Sequence, residues 1–431
     1  MKPIAKRWFL AADELEGSSL RVLMINQVFH PDVAATAQHA HDLGRFLVGS
    51  GHHVSVIASR ALYGQKGAAL PAYELVDGIH VYRVGRSFFG KASILARVAD
   101  FGYFYVAAAC KAVVLRRHHV SICFTTPPFI ALLGWFLRLI KGTKMVYWVM
   151  DLYPDLPVAC GVMKEGSVST RFFEAVNRFC LRRANAVVAL GRCMRDRILG
   201  KGIDPDQVEI IGVWTDSEEV KPIAREVNTY RKQWNVGDRQ LVMYSGNFGL
   251  GHDVDTFLKA AKELESDDRI RFAFVGGGKK KEIVEEFVQK HSLTNAILAP
   301  YQPREKLDEL LSAADCHLVS LLVGVEGIMV PCKLFGVLAA GRPALFIGSP
   351  KSEIARVIED EGCGATVEEG DVHALVGSIL AYAEDPSLAR RQGDAGRDAL
   401  IRTHATVHRC ASWERLLKNV VGESKAEELS A

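Results

Sequence analysis

The 431-residue sequence has no run of 18 apolar residues, no Cys-x-x-Cys pair and almost no net charge. Each absence excludes something. The best apolar runs, Phe101–Leu115 and Ile130–Ile140, are interrupted by Lys111 and Arg138, so neither fits a membrane span. Near the N-terminus the short apolar patch Trp8–Ala12 gives way to Asp13, Glu14 and Glu16, which does not fit a signal peptide. The nine cysteines are an odd number without paired spacing. Reduced thiols in a cytoplasmic protein are expected, with no zinc site and no disulfide framework. His39, His41, His52 and His53 likewise show no metal spacing, and surface or capping roles are expected of them. Lys and Arg number 53 against 50 Asp and Glu, a net charge of +3. A dedicated nucleic-acid binder is normally strongly basic, so no nucleic-acid partner is expected. What is present is ordinary globular composition, 49% hydrophobic and 24% charged, at a length that exceeds one hydrophobic core. Two domains are the default.

The apolar pattern supports that division. Arg21–Val28 is a short β-rich run, followed by a loop with Pro31, a helical pattern to Gly49 and a strand at Val54–Ala58. Strands continue at Ile79–Val84, Val120–Phe124, Met145–Val149, Ala186–Leu190 and Val208–Ile211, with helical patterns between them. The alternation lapses between Gly212 and Trp234. It restarts with strands at Leu241–Tyr244, Arg271–Val275, Ala296–Leu298, Cys316–Val319, Ala344–Ile347 and Ala365–Val367. Strands alternating with helices predict parallel sheets covered on both faces. The expected fold class is therefore α/β, with two Rossmann-like domains at 20–212 and 224–404 facing each other across a cleft. Ligands in such sheets bind at the carboxyl ends of the strands.

Several loops at those ends carry candidate chemistry. Ser245, Gly246, Asn247, Gly249, Gly251 and His252 follow a strand and precede a helix. Glycines there let backbone N–H groups approach an anion, and a helix N-terminus favours negative charge. A Gly-rich turn with Asp253 as the helix cap is the plainer alternative. Gly276, Gly277 and Gly278 end the next strand and again permit close approach; Lys279–Lys281 behind them read as a solvated helix start. Glu326 and Gly327 precede an apolar loop, and Pro331 sits where a helix can begin. Lys333 falls in that helix's first turn, where a cation opposes the dipole unless an anion is bound there. Glu326 could accept sugar or ribose hydroxyls; a surface Lys–Glu pair is the alternative. Asp151 follows a strand in Trp148-Val-Met-Asp-Leu-Tyr-Pro154, placed either to orient an acceptor hydroxyl or to cap a turn. Asn26–Asp32, after the first strand, would line the same cleft.

Taken together, these residues resemble the GT-B glycosyltransferases of family four, particularly the branch found with bacterial O-antigen, capsule and exopolysaccharide synthesis. The resemblance covers about residues 20–420. It rests on Gly51-His52-His53-Val54, Asp151-Leu-Tyr-Pro154, Tyr244-Ser-Gly-Asn247, Phe274-Val-Gly-Gly277 and the stretch Pro331-Cys-Lys-Leu-Phe-Gly-Val-Leu-Ala-Ala-Gly-Arg-Pro343. It implies a nucleotide-diphosphate-sugar donor on the C-terminal domain, an acceptor on the N-terminal domain, and retention of configuration with neither metal nor cofactor. The diphosphate would meet Ser245–His252 and Lys333. The base and ribose would lie near Gly276–Gly278, Tyr301 and Gln302, and the sugar near Glu326 and Gly327. A last helix at about 406–421 would pack back on the first domain. Departures are visible. Gly336 stands where many members carry a second glutamate, Asn247 and His252 stand where Arg and Lys are common, and Ala34-Ala35 replaces a glycine pair.

In the mechanism this implies, backbone N–H groups and Lys333 stabilise charge on the leaving diphosphate, and Asp151 orients the acceptor or offsets positive charge on the sugar. The acceptor expected is a glycan or a lipid-linked saccharide. Phe88, Phe89, Lys91, Arg97, Phe101, Tyr103, Phe104, Tyr105, Lys111, Arg116 and Arg117 interleave aromatic and basic residues. The segment 86–117 thus reads either as a peripheral contact with the inner face of the cytoplasmic membrane or as an amphipathic helix with a solvated basic edge. The alternatives to a transferase are a sugar-nucleotide epimerase on the same fold and a non-catalytic sugar-nucleotide-binding or assembly subunit. A nicotinamide dehydrogenase is disfavoured, because neither half has the Gly-x-Gly-x-x-Gly spacing.

Overall fold

The computed structural model describes residues 19–32, 34–61, 70–85 and 94–429, with 94–99 and 423–429 as backbone only. The chain forms two compact units. One comprises the chain up to Asp155, Met163–Gly212 and the segment from Val407; the other comprises Leu156–Val162 and Val213–Thr406.

Among the described residues the first unit holds eight strands: β1 (Arg21–Ile25), β2 (His53–Ser59), β3 (Tyr73–Val76), β4 (Ile79–Val84), β5 (Val120–Cys123), β6 (Lys144–Trp148), β7 (Ala186–Ala189) and β8 (Val208–Ile210). Their order is β3-β4-β2-β1-β5-β6-β7-β8. All neighbours are parallel except β3 and β4. The antiparallel β3 departs from the expected all-parallel pattern. It turns into β4 through Asp77 and Gly78, at φ 49° and 81°, a pair suited to a two-residue hairpin. Its half-exposed side chains gave no apolar run to read. The histidines also differ from expectation: His39, His41 and His52 are buried. The His52 Nδ1 accepts the Leu20 N–H at 3.1 Å, and its Nε2 meets Glu414 Oε1 at 3.1 Å. Glu414 lies on the helix Thr406–Leu429. On the same helix the Trp413 ring packs 4.5 Å from the Trp148 ring, both fully buried. The terminal helix is thus fastened to the first sheet by one polar and one aromatic contact.

The second unit holds β9 (Gln240–Asn247), β10 (Ile270–Gly277), β11 (Ala296–Ala299), β12 (Cys316–Ser320), β13 (Ala344–Ile347) and β14 (Gly364–Val367), all parallel, in the order β11-β10-β9-β12-β13-β14. Its core contains an aromatic column. Phe248 stacks 4.6 Å from Tyr244, Tyr244 lies 5.1 Å from Phe257, and Phe257 lies 5.3 Å from Phe274. Burying each such ring contributes about 1.5–3 kcal/mol. The strand order reverses beside β9, with β10 on one side and β12 on the other. That reversal is where doubly wound sheets open a crevice for ligands.

Candidate active site

The site of the second unit is built on the ends of β9 and β10. The apolar pattern ends these strands at Tyr244 and Val275, yet they continue through their glycines and stay paired as far as Asn247 and Gly277. Glycine makes this possible. Gly246 and Gly276 have φ of 131° and 134°. A Cβ on Gly276 would overlap the Gly246 carbonyl, and one on Gly278 would overlap the Asn247 side chain. Gly277 lies under Tyr301, whose hydroxyl donates to the Gly277 carbonyl at 3.3 Å. The result is a bare backbone surface beside an exposed tyrosine ring.

Lys333 enters this surface from the first position of the helix Lys333–Ala339. Its Nζ donates to the Tyr244 hydroxyl and, at 2.9 Å, to the Asn247 carbonyl. The Tyr244 hydroxyl in turn donates to the same carbonyl at 3.0 Å. Desolvation lowers the Lys333 pKa from 10.5 to about 7. The helix dipole also opposes a cation here. Both penalties fall when an anion arrives. Tyr244 is held by the aromatic column, so the ammonium is aimed by the core of the domain.

The loop after β9 is braced from several sides. The His252 ring is buried, and its Nδ1–H donates to the Ser320 carbonyl at 2.5 Å. Burial lowers its pKa to about 3, with Lys333 as the next contributor; the ring is therefore neutral and its Nε2 is the lone-pair nitrogen. The Asp253 carboxylate accepts the N–H groups of Asp255 and Thr256, at 3.0 and 3.4 Å, at the start of the helix Asp255–Glu263, whose N-cap position is Val254. Lys280 corrects the expectation of a purely solvated lysine run. Its Nζ donates to the His252 carbonyl at 2.6 Å, whereas Lys279 is exposed and Lys281 pairs with Glu285. The Leu322 N–H donates to the Gly251 carbonyl at 2.9 Å, joining this loop to the segment with Glu326 and Gly327. One Glu326 oxygen accepts the Gly324 N–H at 2.7 Å. Glu326 and Gly327 line a small pocket with Met329, Pro331 and Ser352.

Ser245, Gly246, Asn247, His252, Gly276, Gly277, Tyr301 and Lys333 therefore converge, with Glu326 and Gly327 joined to them across Gly251. Gln302 does not join them through its side chain. Its Oε1 accepts the Tyr230 hydroxyl at 3.1 Å and its amide donates to the Pro300 carbonyl. At Gly336 a Cβ would stand 3.2 Å from Leu311, so this position faces the helix Leu307–Ala313. Sequence reasoning missed Tyr244, Lys280 and Ser320 as supports. Tyr244 had one available signal, a polar-tipped residue closing a buried strand just before Ser-Gly.

In the first unit Asp151 lies just beyond β6. Its N–H donates to the Thr125 hydroxyl at 3.3 Å, next to the end of β5. Burial raises the Asp151 carboxyl to about 6. The Asn26 side chain is buried and donates to the Val28 carbonyl at 2.8 Å, so it shapes the loop after β1. Among the described residues no group of three His, Cys, Asp or Glu is placed to hold a metal. Among them, too, no helix is long and apolar enough to cross a membrane.

Residues 35–214 match the family described as "Glycosyl transferase 4-like domain", and residues 226–399 match "Glycosyl transferases group 1". The chain belongs to the glycosyltransferases. WcaI of Escherichia coli (strain K12), named for colanic acid biosynthesis, is 25% identical over 372 residues, which cover 84% of this chain and 91% of that protein. Sucrose-phosphate synthase from Thermosynechococcus elongatus has a TM-score of 0.77 at 17% identity, covering 94% of this chain and 100% of the other. Anabaena HepE in complex with UDP and glucose has a TM-score of 0.70 at 12% identity, covering 93% and 100%. At such identities the structural likeness speaks for the fold, the two Rossmann-like domains of the GT-B class.

Proposed function

We propose that this glycosyltransferase moves a sugar from a nucleoside-diphosphate-sugar to a saccharide acceptor, lipid-linked during assembly, in the synthesis of a cell-surface polysaccharide. Configuration is retained, and no resident metal or cofactor takes part. The observation that carries the donor half is Lys333, a desolvated cation at a helix start beside glycine backbone. That arrangement is unfavourable when empty and favours a diphosphate. HepE with UDP and glucose supports the donor class, and the name of WcaI supports the pathway class.

In this reading the diphosphate lies against Ser245–Asn247 and Lys333, the base near Gly276, Gly277 and Tyr301, and the sugar near Glu326 and Gly327. The Gln302 side chain, already engaged by Tyr230, holds the strand end rather than the base. His252 presents a lone pair, so it fits a sugar hydroxyl better than a phosphate oxygen. The bond from the anomeric carbon to the diphosphate breaks with its electrons leaving on the diphosphate oxygen. The acceptor hydroxyl attacks the same face and passes its proton to that oxygen. Asp151, as carboxylate, orients the acceptor or offsets charge on the sugar ring.

The test is thermal-shift screening against a panel of nucleoside-diphosphate sugars, with hits taken to transfer assays on polyprenyl-diphosphate-linked saccharides. A selective stabiliser that is also a donor is expected, with the anomeric configuration of the product retained by NMR. Stabilisation by no member would remove the donor reading, and an inverted product would remove retention.

A further inference from the structure

Four aromatic rings of the first unit meet beyond the carboxyl ends of β5 and β6. The Phe129 and Phe173 rings stack with their planes 7° apart and their centroids 5.3 Å apart. Tyr153 lies edge-on to Phe129 at 6.4 Å, and Phe172 edge-on to Phe173 at 5.5 Å. Phe172 is 62% exposed and the other three are half-buried. Rings of this size ordinarily fill a core; here they gather where water still reaches them. The cluster borders Asp151. Tyr153 follows it by two residues, and Phe129 follows Thr125 by four, where the Thr125 hydroxyl accepts the Asp151 N–H.

The rings are held from three sides. Phe129 has a φ of 66°, which a bulky side chain seldom takes, so its place is maintained at a backbone cost. The carbonyl just before it, that of Pro128, accepts the Tyr105 hydroxyl. Tyr105 comes from the segment 86–117, read from the sequence either as a membrane contact or as an amphipathic helix. In that segment Phe104 is buried, whereas Phe88, Phe89, Lys91 and the Arg97 side chain lie outside the described residues. The third brace is the buried Lys201, whose ammonium donates to Asp155 and to Glu174 at 2.8 Å each. Asp155 follows Tyr153 by two residues, and Glu174 is next to Phe173. One cation therefore ties together the two segments that carry these rings. Desolvation offsets most of the stability such a triad could add, so its main consequence is a fixed spacing between them.

We infer that Phe129, Tyr153, Phe172 and Phe173 form a stacking platform for a pyranose ring of the acceptor saccharide, beside the hydroxyl that Asp151 orients. The chemistry selects a saccharide. One face of a hexopyranose presents C–H groups that are apolar and weakly positive, and the faces of Phe and Tyr are weakly negative. Its hydroxyls lie around the rim, where a carboxylate can accept from one of them. An isoprenoid chain asks only for apolar volume, which Leu or Ile would supply as well, yet all four positions here are aromatic. The inference rests on the reading of the protein as a transferase to a saccharide acceptor, and not on the donor contacts.

Saturation-transfer difference NMR of the full chain with methyl glycosides of glucose, galactose, mannose and 6-deoxyhexoses tests it. Saturation is expected on the C–H groups of one sugar face. Phe129→Leu with Phe173→Leu keeps the apolar volume but removes the stacked faces, and weakens binding about tenfold. Phe172→Leu changes an exposed ring at little risk to folding, and weakens binding about threefold. Phe173→Tyr retains binding. Melting curves and the stabilisation given by UDP stay as in the parent for all of them. Saturation of no glycoside overturns the platform, as does saturation unchanged in both leucine variants. Equal loss in the leucine and tyrosine variants also overturns it, since that would assign the rings to packing. Glycoside binding without transfer to any saccharide acceptor would remove the transferase reading alone. Transfer by the double leucine variant at the parent's acceptor KM would remove the platform alone.

Discussion

The Lys333 ammonium lies 4.0 Å from the centroid of the Tyr244 ring and 2.9 Å from the Asn247 carbonyl oxygen. A cation so placed is held by an aromatic face and by hydrogen bonds, and its side chain is half-buried. If it serves a leaving diphosphate, Lys333→Ala removes a preorganised charge and lowers kcat about 100- to 1000-fold. Single-turnover transfer at saturating donor measures this. Tyr244→Phe, which keeps the ring and loses the hydroxyl, has a smaller effect expressed mainly in donor KM.

The same lysine makes donor binding pH-dependent. Its folded-state pKa of about 7 lies below its ordinary 10.5, so between those values the unfolded chain binds the extra proton and stability of the empty protein rises with pH. A bound diphosphate reverses the preference and draws a proton in. Above pH 7 donor affinity falls, by at most about tenfold per pH unit. Calorimetry at pH 8 in buffers of different ionisation enthalpy reads the proton directly. Equal apparent enthalpies in all buffers would contradict it.

Asp151 works in the opposite direction. Burial raises its carboxyl from 3.8 to about 6, so the folded state holds its proton more tightly and stability falls as pH rises between those values. Asp151→Asn is expected to melt higher than the parent, with the gain growing from about pH 4 to pH 6 and then levelling. Turnover that needs the carboxylate falls in the same variant, and the parent's acid limb lies near pH 6. A constant melting difference across that range would count against the burial account.

Gly276→Ala tests the backbone surface. The new Cβ would overlap the Gly246 carbonyl at a φ of 134°, and neither strand end can yield without unpairing. A loss of stability above about 2 kcal/mol is expected, along with loss of nucleotide-induced stabilisation. Urea unfolding with and without UDP measures both.

Trp413→Ala addresses the terminal helix. The Trp413 indole is fully buried against Trp148, and such truncations cost about 3–5 kcal/mol. The first unit is expected to lose its helix, seen as exposed amide hydrogens over 407–422 in hydrogen exchange. Glu414→Gln, which weakens only the pair with His52, produces a smaller change.

Much of this molecule is determined locally. Strand–helix alternation placed thirteen of the fourteen described strands within a few residues, because buried parallel strands are short runs of Val, Ile, Leu and Phe such as Ala344–Ile347. The stretch around Lys333 and the glycines after β9 and β10 pointed to an anion site, since glycine and helix-start lysine carry their meaning in the chain itself. Other features depended on contacts between segments far apart. Strand β3 has no apolar run and exists through its pairing with β4. Tyr244 reads as one more strand residue until Lys333, 89 positions later, is placed on its hydroxyl. Lys280 reads as a solvated cation until its ammonium meets the His252 carbonyl. The sequence left 86–117 open between a membrane contact and an amphipathic helix packed on the sheet, and only packing buries Phe104 and turns the Tyr105 hydroxyl onto the Pro128 carbonyl. The residues by themselves specify which elements form and where glycine and charge permit an anion. Only tertiary packing decides which polar groups lose their water, and therefore which pKa values shift and which faces stay open.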